Sequence, residues 1–179
     1  MNVVQPGRWG PDRAGLGILR AMSHVTTNRI VFVLSLLGIC VAGYLTLQHY
    51  RVMELPCGPL QGCDVVNAHP SADGFGIGFL SAIPTAAFGL AMYVAMAALS
   101  FVRAARPSAE AARRLGLLQW LMAAAGLAAS AYLTYLEARV IGAWCTYCVT
   151  SAILVVLLFA TLSCERLFGR IAEKECMDS

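Results

Sequence analysis

The sequence predicts an all-α integral membrane protein, a four-transmembrane-helix bundle with an extracytoplasmic loop or short helix between helices 1 and 2. Hydrophobic residues make up 59% of the 179 residues, and charged residues make up 13%. Soluble domains carry about 25% charged residues, so this composition excludes an ordinary water-soluble protein. The apolar residues also lie in four blocks of the length that crosses a bilayer, and most basic residues flank those blocks.

The four apolar blocks define the predicted helices and the domain bounds. They extend over residues 30–48, 75–101, 115–136 and 145–162, and the last block is the shortest. The chain is thereby divided into a cytosolic N-terminal arm (1–29), a four-helix membrane domain (30–162) and a cytosolic tail (163–179). Small residues are dense in the second and third blocks. Because small side chains let helix backbones approach closely, the helices are expected to form a compact bundle.

Pro84 lies inside the second block and affects how that helix is expected to begin. Proline has no backbone N–H group and its ring clashes with the preceding turn of a helix. We therefore expect Pro84 either to kink the helix or to mark the residue where its membrane-spanning part begins.

Basic residues predict the orientation of the bundle. They cluster before the first block, between the second and third blocks, and after the fourth, as Arg8, Arg13, Arg20, Arg29, Arg103, Arg106, Arg113, Arg114, Arg166, Arg170 and Lys174. The positive-inside rule then predicts that both termini are cytosolic and that residues 51–74 and 139–144 face outward. The basic residues flank apolar blocks and do not form one patch. The net charge of +3 therefore says little about nucleic acid, and the expected surroundings are a lipid bilayer with no nucleic-acid partner.

A C-x-x-C motif stands at the start of the fourth block, in the stretch Trp144-Cys145-Thr146-Tyr147-Cys148. Two thiols at this spacing can close into a disulfide and open again, and a helix N-terminus favours the thiolate form. Closing so small a ring adds only about 2 kcal/mol of stability by the chain-entropy relation, so the pair suits electron transfer better than stapling. A structural disulfide or two unrelated buried thiols remain alternatives on the spacing alone.

A second pair of cysteines, Cys57 and Cys63, lies in the outward loop after the first block. Three residues that favour turns lie between them, Gly58, Pro59 and Gly62, so the two thiols can meet across a short bend. Two close pairs on the oxidising side of a membrane are what disulfide chemistry needs. The remaining cysteines are interpreted as ordinary thiols: Cys40, Cys164 and Cys176.

Three other functions would also use paired cysteines. The four outward cysteines can in principle form a Cys₄ zinc site, although zinc would hold the thiolates permanently. A soft-metal membrane transporter can hand an ion between thiols, but it would need cysteines at membrane depth, where Cys40 lies alone among the seven. A membrane scaffold with two structural disulfides predicts bonds that never turn over.

Several short motifs, taken together with the topology, resemble the vitamin K epoxide reductase family. They are Ala42-Gly43-Tyr44-Leu45-Thr46, Gly62-Cys63-Asp64-Val65-Val66, Ile83-Pro84 with Gly89 and Tyr93 beyond it, and Ile141-Gly142-Ala143-Trp144-Cys145-Thr146-Tyr147-Cys148. The resemblance covers about residues 30–162. More narrowly, the chain resembles bacterial members of the family, which form disulfides by reducing a quinone.

The resemblance implies a role for each cysteine pair. Cys145 and Cys148 would be the active-site pair, with Cys148 facing the quinone ring, and Cys57 and Cys63 would be the shuttle. A thioredoxin-fold thiol oxidase would be reoxidised by the loop disulfide, and the electrons would pass to ubiquinone or menaquinone. That partner is expected to be a separate protein, since the chain ends soon after the fourth block. The expected location is the bacterial inner (cytoplasmic) membrane, with an extracytoplasmic active site.

The sequence departs from the family about six residues after the second loop cysteine, where members commonly have a serine. His69 occupies that position, and Ser71 follows closely. His69 can carry a proton near neutral pH, or it can be a solvated loop residue. The hypothesis predicts that His69→Ala slows turnover more than Ser71→Ala does.

Two aromatic residues of the C-x-x-C motif allow two interpretations. Trp144 and Tyr147 can anchor the chain at the membrane interface, where such side chains are enriched. They can instead join Cys148 in binding the quinone, because aromatic rings stack well on a flat ring. Position in the sequence does not distinguish these interpretations.

Overall fold

The computed structural model describes residues 11–51, 57, 62–105 and 108–177, and within these ranges it describes the side chains from residue 25 to residue 167 except those of Arg51 and Ala109. Five α-helices lie in these ranges: α1 (Pro11–Arg51), α2 (Cys63–Asn67), α3 (Thr85–Ala105), α4 (Ala109–Leu136) and α5 (Thr146–Met177). Residues 1–10 of the predicted arm and the Cys176 side chain lie outside this description.

Four of these helices are long and apolar enough to cross a membrane, over residues 25–50, 85–105, 110–141 and 146–167. Large apolar side chains such as Val33, Leu37 and Phe101 are exposed on the outside of the bundle. An exposed apolar belt of this kind is unfavourable in water and favourable in lipid. The predicted class, an all-α four-helix membrane bundle, is therefore confirmed.

The helix boundaries differ from those of the predicted blocks, and two of the differences involve a proline. Helix α1 begins at Pro11, well before the apolar block, and a proline fits the first turn of a helix because its N–H would be unpaired there. Helix α3 begins at Thr85, so Pro84 marks the start of the spanning part and does not kink a longer helix.

Residues 70–80, partly assigned to the second apolar block, form three short 3₁₀ turns. Positive φ angles at Gly74 and Gly76, and at Phe75 between them, prevent a continuous helix. A Cβ atom at Gly74 would lie 2.2 Å from the Leu80 carbonyl oxygen, so this turn requires glycine. Thr85 ties the turns to α3, because its hydroxyl donates to the Ser71 carbonyl at 2.7 Å.

The apolar core lies where α1, α3, α4 and α5 pack together, and it includes Tyr93. Tyr93 is fully buried, and its hydroxyl lies 3.0 Å from both the carbonyl and the hydroxyl oxygen of Ser151. A Cβ atom at Gly38 would lie 2.3 Å from the Tyr93 ring. The absence of a side chain at Gly38 therefore lets α1 approach α3 closely.

A buried polar network joins the helices at the end of the bundle away from the paired cysteines. The guanidinium of Arg103, in the last turn of α3, forms a buried ion pair with Glu165 of α5. It also donates to Gln119 of α4 at 3.4 Å, and Gln119 donates to the Ser100 hydroxyl at 2.9 Å. Arg103, predicted to lie in a loop, is thus inside the bundle.

Candidate active site

The loop cysteines Cys57 and Cys63 are joined by a disulfide, with a Cα–Cα distance of 5.8 Å. Cys63 is the first residue of α2 and is buried, whereas Cys57 is partly exposed. The expectation that these two thiols can meet is confirmed, while Gly58 and Pro59 of the expected bend lie outside the described residues. The zinc interpretation needs all four outward sulfurs as thiolates, and a disulfide sulfur does not bind zinc in that way.

Cys145 and Cys148 are free thiols at the start of α5. Cys145 immediately precedes the helix, and its carbonyl accepts a hydrogen bond from the Val149 N–H at 3.0 Å. Hydrogen bonds from the Cys148 thiol, and from the backbone N–H groups of Cys148 and Tyr147, hold the pKa of the Cys145 thiol below its ordinary value. These bonds outweigh the opposing effects of burial and of the nearby Glu137 charge.

The two cysteine pairs meet in one small buried cluster. Cys63 and Cys145 form its centre, and each is only 1% exposed. Tyr44 and Tyr147 pack beside them, with a distance of 5.1 Å between the centroids of the two tyrosine rings. The Gly62 N–H donates to the Trp144 carbonyl at 3.2 Å, so the loop backbone lies directly against the C-x-x-C segment.

This backbone contact depends on Gly62 having no side chain. A Cβ atom there would lie 2.6 Å from the Trp144 oxygen and 2.8 Å from the Trp144 nitrogen. Both atoms belong to the backbone, so they cannot move aside as a flexible side chain would. Gly62 is therefore what allows Cys63 to reach the buried side of Cys145.

A buried carboxyl group, Glu137, adjoins the C-x-x-C pair. It begins a five-residue π-helical turn (Glu137–Ile141) that follows α4 and ends at Gly142, whose φ of 69° is left-handed. One carboxylate oxygen accepts from the Cys145 N–H at 3.4 Å, and the carboxyl group is also hydrogen-bonded to the Cys148 thiol. Single π turns of this kind often occur at functional sites.

Sequence reasoning missed Glu137, because no motif includes it and a charge between two apolar blocks is usually a solvated helix end. A signal was nevertheless available. Residues 115–162 contain two acidic or basic side chains, Glu137 and Arg139, and both precede the C-x-x-C motif closely. An ionisable residue within a membrane segment is a functional candidate by default, because burying it is costly.

A largely apolar cavity of about 440 Å³ lies between the four long helices and below the loop. Its wall includes Cys63, Cys145, Cys148 and Glu137, together with apolar side chains such as Phe88 and Val155. This volume is within the usual range of small-molecule sites, which combine apolar walls with a few polar groups. The cavity can therefore take a flat apolar ring against the Cys148 sulfur, so a quinone fits this site.

The predicted ring-binding residues occupy different surroundings. Cys148 lies on the cavity wall, whereas Trp144 is 40% exposed and faces a shallow groove beside Val149 on the outer surface. Tyr147 packs on Tyr44 in the cysteine cluster. Neither aromatic residue lines the cavity, so a direct contact with a ring bound there is supported for Cys148 alone among the three.

His69 and Ser71 lie together at the top of the cavity. Their side chains are 2.8 Å apart, from Nδ1 of His69 to Oγ of Ser71, and the Ser71 N–H donates to the same nitrogen at 3.3 Å. Ser71 is buried and lines the cavity, whereas His69 contacts Ser71 and does not itself line the cavity. Their part in proton transfer or loop support remains a prediction.

His49 is a further residue that sequence reasoning missed. It lies near the end of α1, with its ring nitrogens 3.1 Å from the Asn67 amide oxygen and 3.0 Å from an Asp73 carboxylate oxygen. These contacts join α1 to α2 and to the 3₁₀ turns that cover the cavity. No sequence pattern links residues so far apart, so these contacts required the fold.

The sequence was compared with curated proteins and with the profiles of known protein families. A search of curated proteins finds no match to the chain. The sequence profile of the vitamin K epoxide reductase family matches residues 29–163, which include both cysteine pairs and the four spans apart from residues 25–28 and 164–167. The chain therefore belongs to the vitamin K epoxide reductase family and is a multi-pass membrane oxidoreductase of the thiol and quinone type.

Proposed function

We propose that this protein oxidises a separate thioredoxin-fold thiol oxidase and passes the electrons through two cysteine pairs to ubiquinone or menaquinone. The result would be continued formation of disulfide bonds in other proteins. The observation that carries the proposal is the shared burial of Cys63 and Cys145 beside a cavity whose wall includes Cys148. One end of this arrangement adjoins the loop disulfide and the other adjoins an apolar site.

The loop disulfide is proposed to exchange first with the partner. A partner thiolate attacks Cys57, which is the more exposed sulfur, and Cys63 leaves as a thiolate. The second partner thiol then attacks the mixed disulfide, so the partner leaves oxidised and the loop is left with two thiols. Each step replaces one S–S bond with another through thiolate attack.

The second exchange is proposed to join the two pairs. The Cys63 thiolate attacks Cys145 of the oxidised C-x-x-C pair, and Cys148 leaves. Cys57 then attacks Cys63, which closes the loop disulfide again and releases Cys145. Burial of Cys63 and Cys145 in one cluster supports this pairing, and the lowering of the Cys145 pKa makes this thiol a better leaving group.

Cys148 is the residue proposed to meet the quinone. A quinone bound in the cavity supplies a two-electron acceptor, and the apolar wall around Cys148 keeps water away from the reacting sulfur. Ser71 and Ser151 add hydroxyl groups to the same wall, where they can orient a carbonyl oxygen. As the disulfide between Cys145 and Cys148 forms, the two thiols lose two electrons and two protons to the acceptor.

The proposed location is a bacterial inner (cytoplasmic) membrane, with the cysteine end of the bundle outside the cytosol. The basic residues at the opposite end support this orientation through the positive-inside rule. Labelling of single exposed cysteines with a membrane-impermeant maleimide on intact cells tests it. The labelled variant is Gly78→Cys, at an exposed position at the cysteine end of the bundle. Labelling of Gly78→Cys without lysis supports the orientation, and labelling only after lysis refutes it.

Quinone reduction by purified protein in detergent tests the proposed function. A reduced thioredoxin-fold protein serves as donor, and the loss of absorbance of a short-chain ubiquinone or of menadione is followed. We expect turnover with the parent protein, none with Cys148→Ala, and unchanged turnover with Cys40→Ala, a free thiol on the outside of α1. Absence of quinone reduction by the parent with both quinones would refute the proposal.

A further inference from the structure

We propose that Glu137 is a catalytic residue that accepts the proton of the Cys148 thiol while the Cys145–Cys148 disulfide forms. The inference rests on the proposed function for its final electron acceptor, but the proton transfer itself takes place at the thiol pair. It also explains why a carboxyl group is buried among apolar helices, where such a group is costly.

The geometry holds Glu137 in contact with both halves of the motif. The side chain is 3% exposed, and one of its oxygens accepts from the Cys145 backbone N–H at 3.4 Å. This bond fixes the carboxyl group at the entrance of α5. The hydrogen bond between the carboxyl group and the Cys148 thiol then brings a proton acceptor directly to the sulfur that must lose its proton.

The π turn at Glu137–Ile141 explains how this carboxyl group reaches the motif. The Gly142 N–H donates to the Glu137 carbonyl at 3.0 Å, and the wider turn ends α4 with Glu137 directed towards the cavity. Arg139, two residues later, is exposed. One acidic side chain is thus drawn inward by the same turn that leaves its basic neighbour outside.

The chemistry requires a proton acceptor at this position. Thiolates, and not thiols, are the nucleophiles of disulfide exchange. Cys145 accepts hydrogen bonds from backbone N–H groups that favour its thiolate, whereas Cys148 lies one turn further into the helix, on the wall of an apolar cavity. A carboxylate in hydrogen-bond contact is the means by which Cys148 can lose its proton where little water is present.

The proposed step balances in atoms and electrons. The S–H bond of Cys148 breaks and its proton moves to a Glu137 oxygen, while the S–S bond to Cys145 forms. The electron pair released by the two sulfurs goes to the oxidant, which is the quinone in turnover or a small disulfide in a test. Glu137 lines the cavity, so it can return its proton to the reduced acceptor. The other proton comes from the Cys145 thiol.

The test uses the full-length chain with Cys57→Ser and Cys63→Ser, in detergent, so that only the C-x-x-C pair can exchange. Oxidised glutathione is added to the reduced protein, and samples quenched with acid are analysed by mass spectrometry. Glutathione first joins Cys145, and Cys148 then displaces it. We expect Glu137→Gln to slow the second step about 100-fold at pH 7, with accumulation of the glutathione adduct.

Glu110→Gln is the matched control, because Glu110 is an exposed carboxylate on α4, paired with Arg114. It should close the disulfide at the parent rate. Glutamine can still accept the Cys145 N–H, so a parent-like rate for Glu137→Gln would overturn the proposal. If the closure rate of Glu137→Gln approaches the parent rate at high pH, where hydroxide can replace the carboxylate as proton acceptor, the proposal is supported. If the rate is reduced by the same factor at every pH, the proposal is refuted.

The glutathione experiment contains no quinone, so it separates this inference from the proposed function. If the parent protein does not reduce quinone, but Glu137→Gln slows closure of the Cys145–Cys148 disulfide, quinone is refuted as the electron acceptor and the role of Glu137 is retained. Quinone reduction by Glu137→Gln at the parent rate would overturn the role of Glu137 and retain the acceptor.

Discussion

Replacing Gly62 with alanine is the sharpest test of the contact between the two cysteine pairs. The new Cβ atom would lie 2.6 Å from the Trp144 carbonyl oxygen, where ordinary contacts begin at 3.4 Å. The loop must therefore move away by about 0.8 Å. The Gly62 N–H to Trp144 hydrogen bond, now 3.2 Å long, would be lost or weakened, at a cost of about 1 kcal/mol.

The expected effect on exchange is larger than the effect on stability. Cys63 directly follows Gly62, so the displacement moves its sulfur away from Cys145. Because a misplacement of about 1 Å at reacting groups can cost about 100-fold in rate, we expect a decrease of that order in exchange between the pairs.

The assay measures disulfide formation between the two buried cysteines alone. In a chain carrying Cys57→Ser and Cys148→Ser, an oxidant can join Cys63 to Cys145, and mass mapping of quenched samples gives the rate. Gly78→Ala is the matched control, because a Cβ atom at Gly78 meets nothing within 4 Å. Formation of the bond at the parent rate in Gly62→Ala would refute the reasoning.

Three further predictions concern acidity, the loop and stability. Because the Cys148 thiol helps to lower the pKa of Cys145, Cys148→Ala should raise that pKa, and iodoacetamide should then alkylate Cys145 more slowly at pH 7; an unchanged pH profile would contradict this. His69→Ala removes two hydrogen bonds with Ser71, so it should slow turnover more than Ser71→Ala, and equal rates for both variants and the parent would exclude a role. Glu165→Gln removes the carboxylate of the buried ion pair with Arg103, which should lower the free energy of unfolding in detergent by about 3–5 kcal/mol; an unchanged midpoint of thermal unfolding would show that the pair is dispensable.

The fold was largely predictable, because length and hydropathy alone determine which segments can cross a bilayer. The four spans lie where the apolar blocks predicted them. The second block was drawn too long, since hydropathy does not register the backbone angles at Gly74 and Gly76 that turn residues 70–80 into 3₁₀ structure. Pro84 carried the information on the true start of α3, and its two possible outcomes could be separated only by the structure.

The candidate site was predictable in its sulfur atoms and not in their surroundings. Spacing identified Cys145 and Cys148 because a C-x-x-C motif is local in the sequence. Glu137 is marked in the sequence only as a charge in an apolar stretch, and its contacts depend on a π turn, while those of His49 join residues that are distant in sequence. The cavity likewise arises from how four helices pack, so its lining could not be read from any one of them.

The buried pair between Arg103 and Glu165 has a consequence for how the protein is made. The two residues are 62 positions apart, so the ribosome delivers α3 to the bilayer before it has synthesised the partner helix α5. Until then the arginine must reach the lipid headgroups, because its charge is costly among acyl chains. A nascent chain truncated before Glu165 lacks the carboxylate of this pair. The ion pair can therefore form only after translation has passed Glu165.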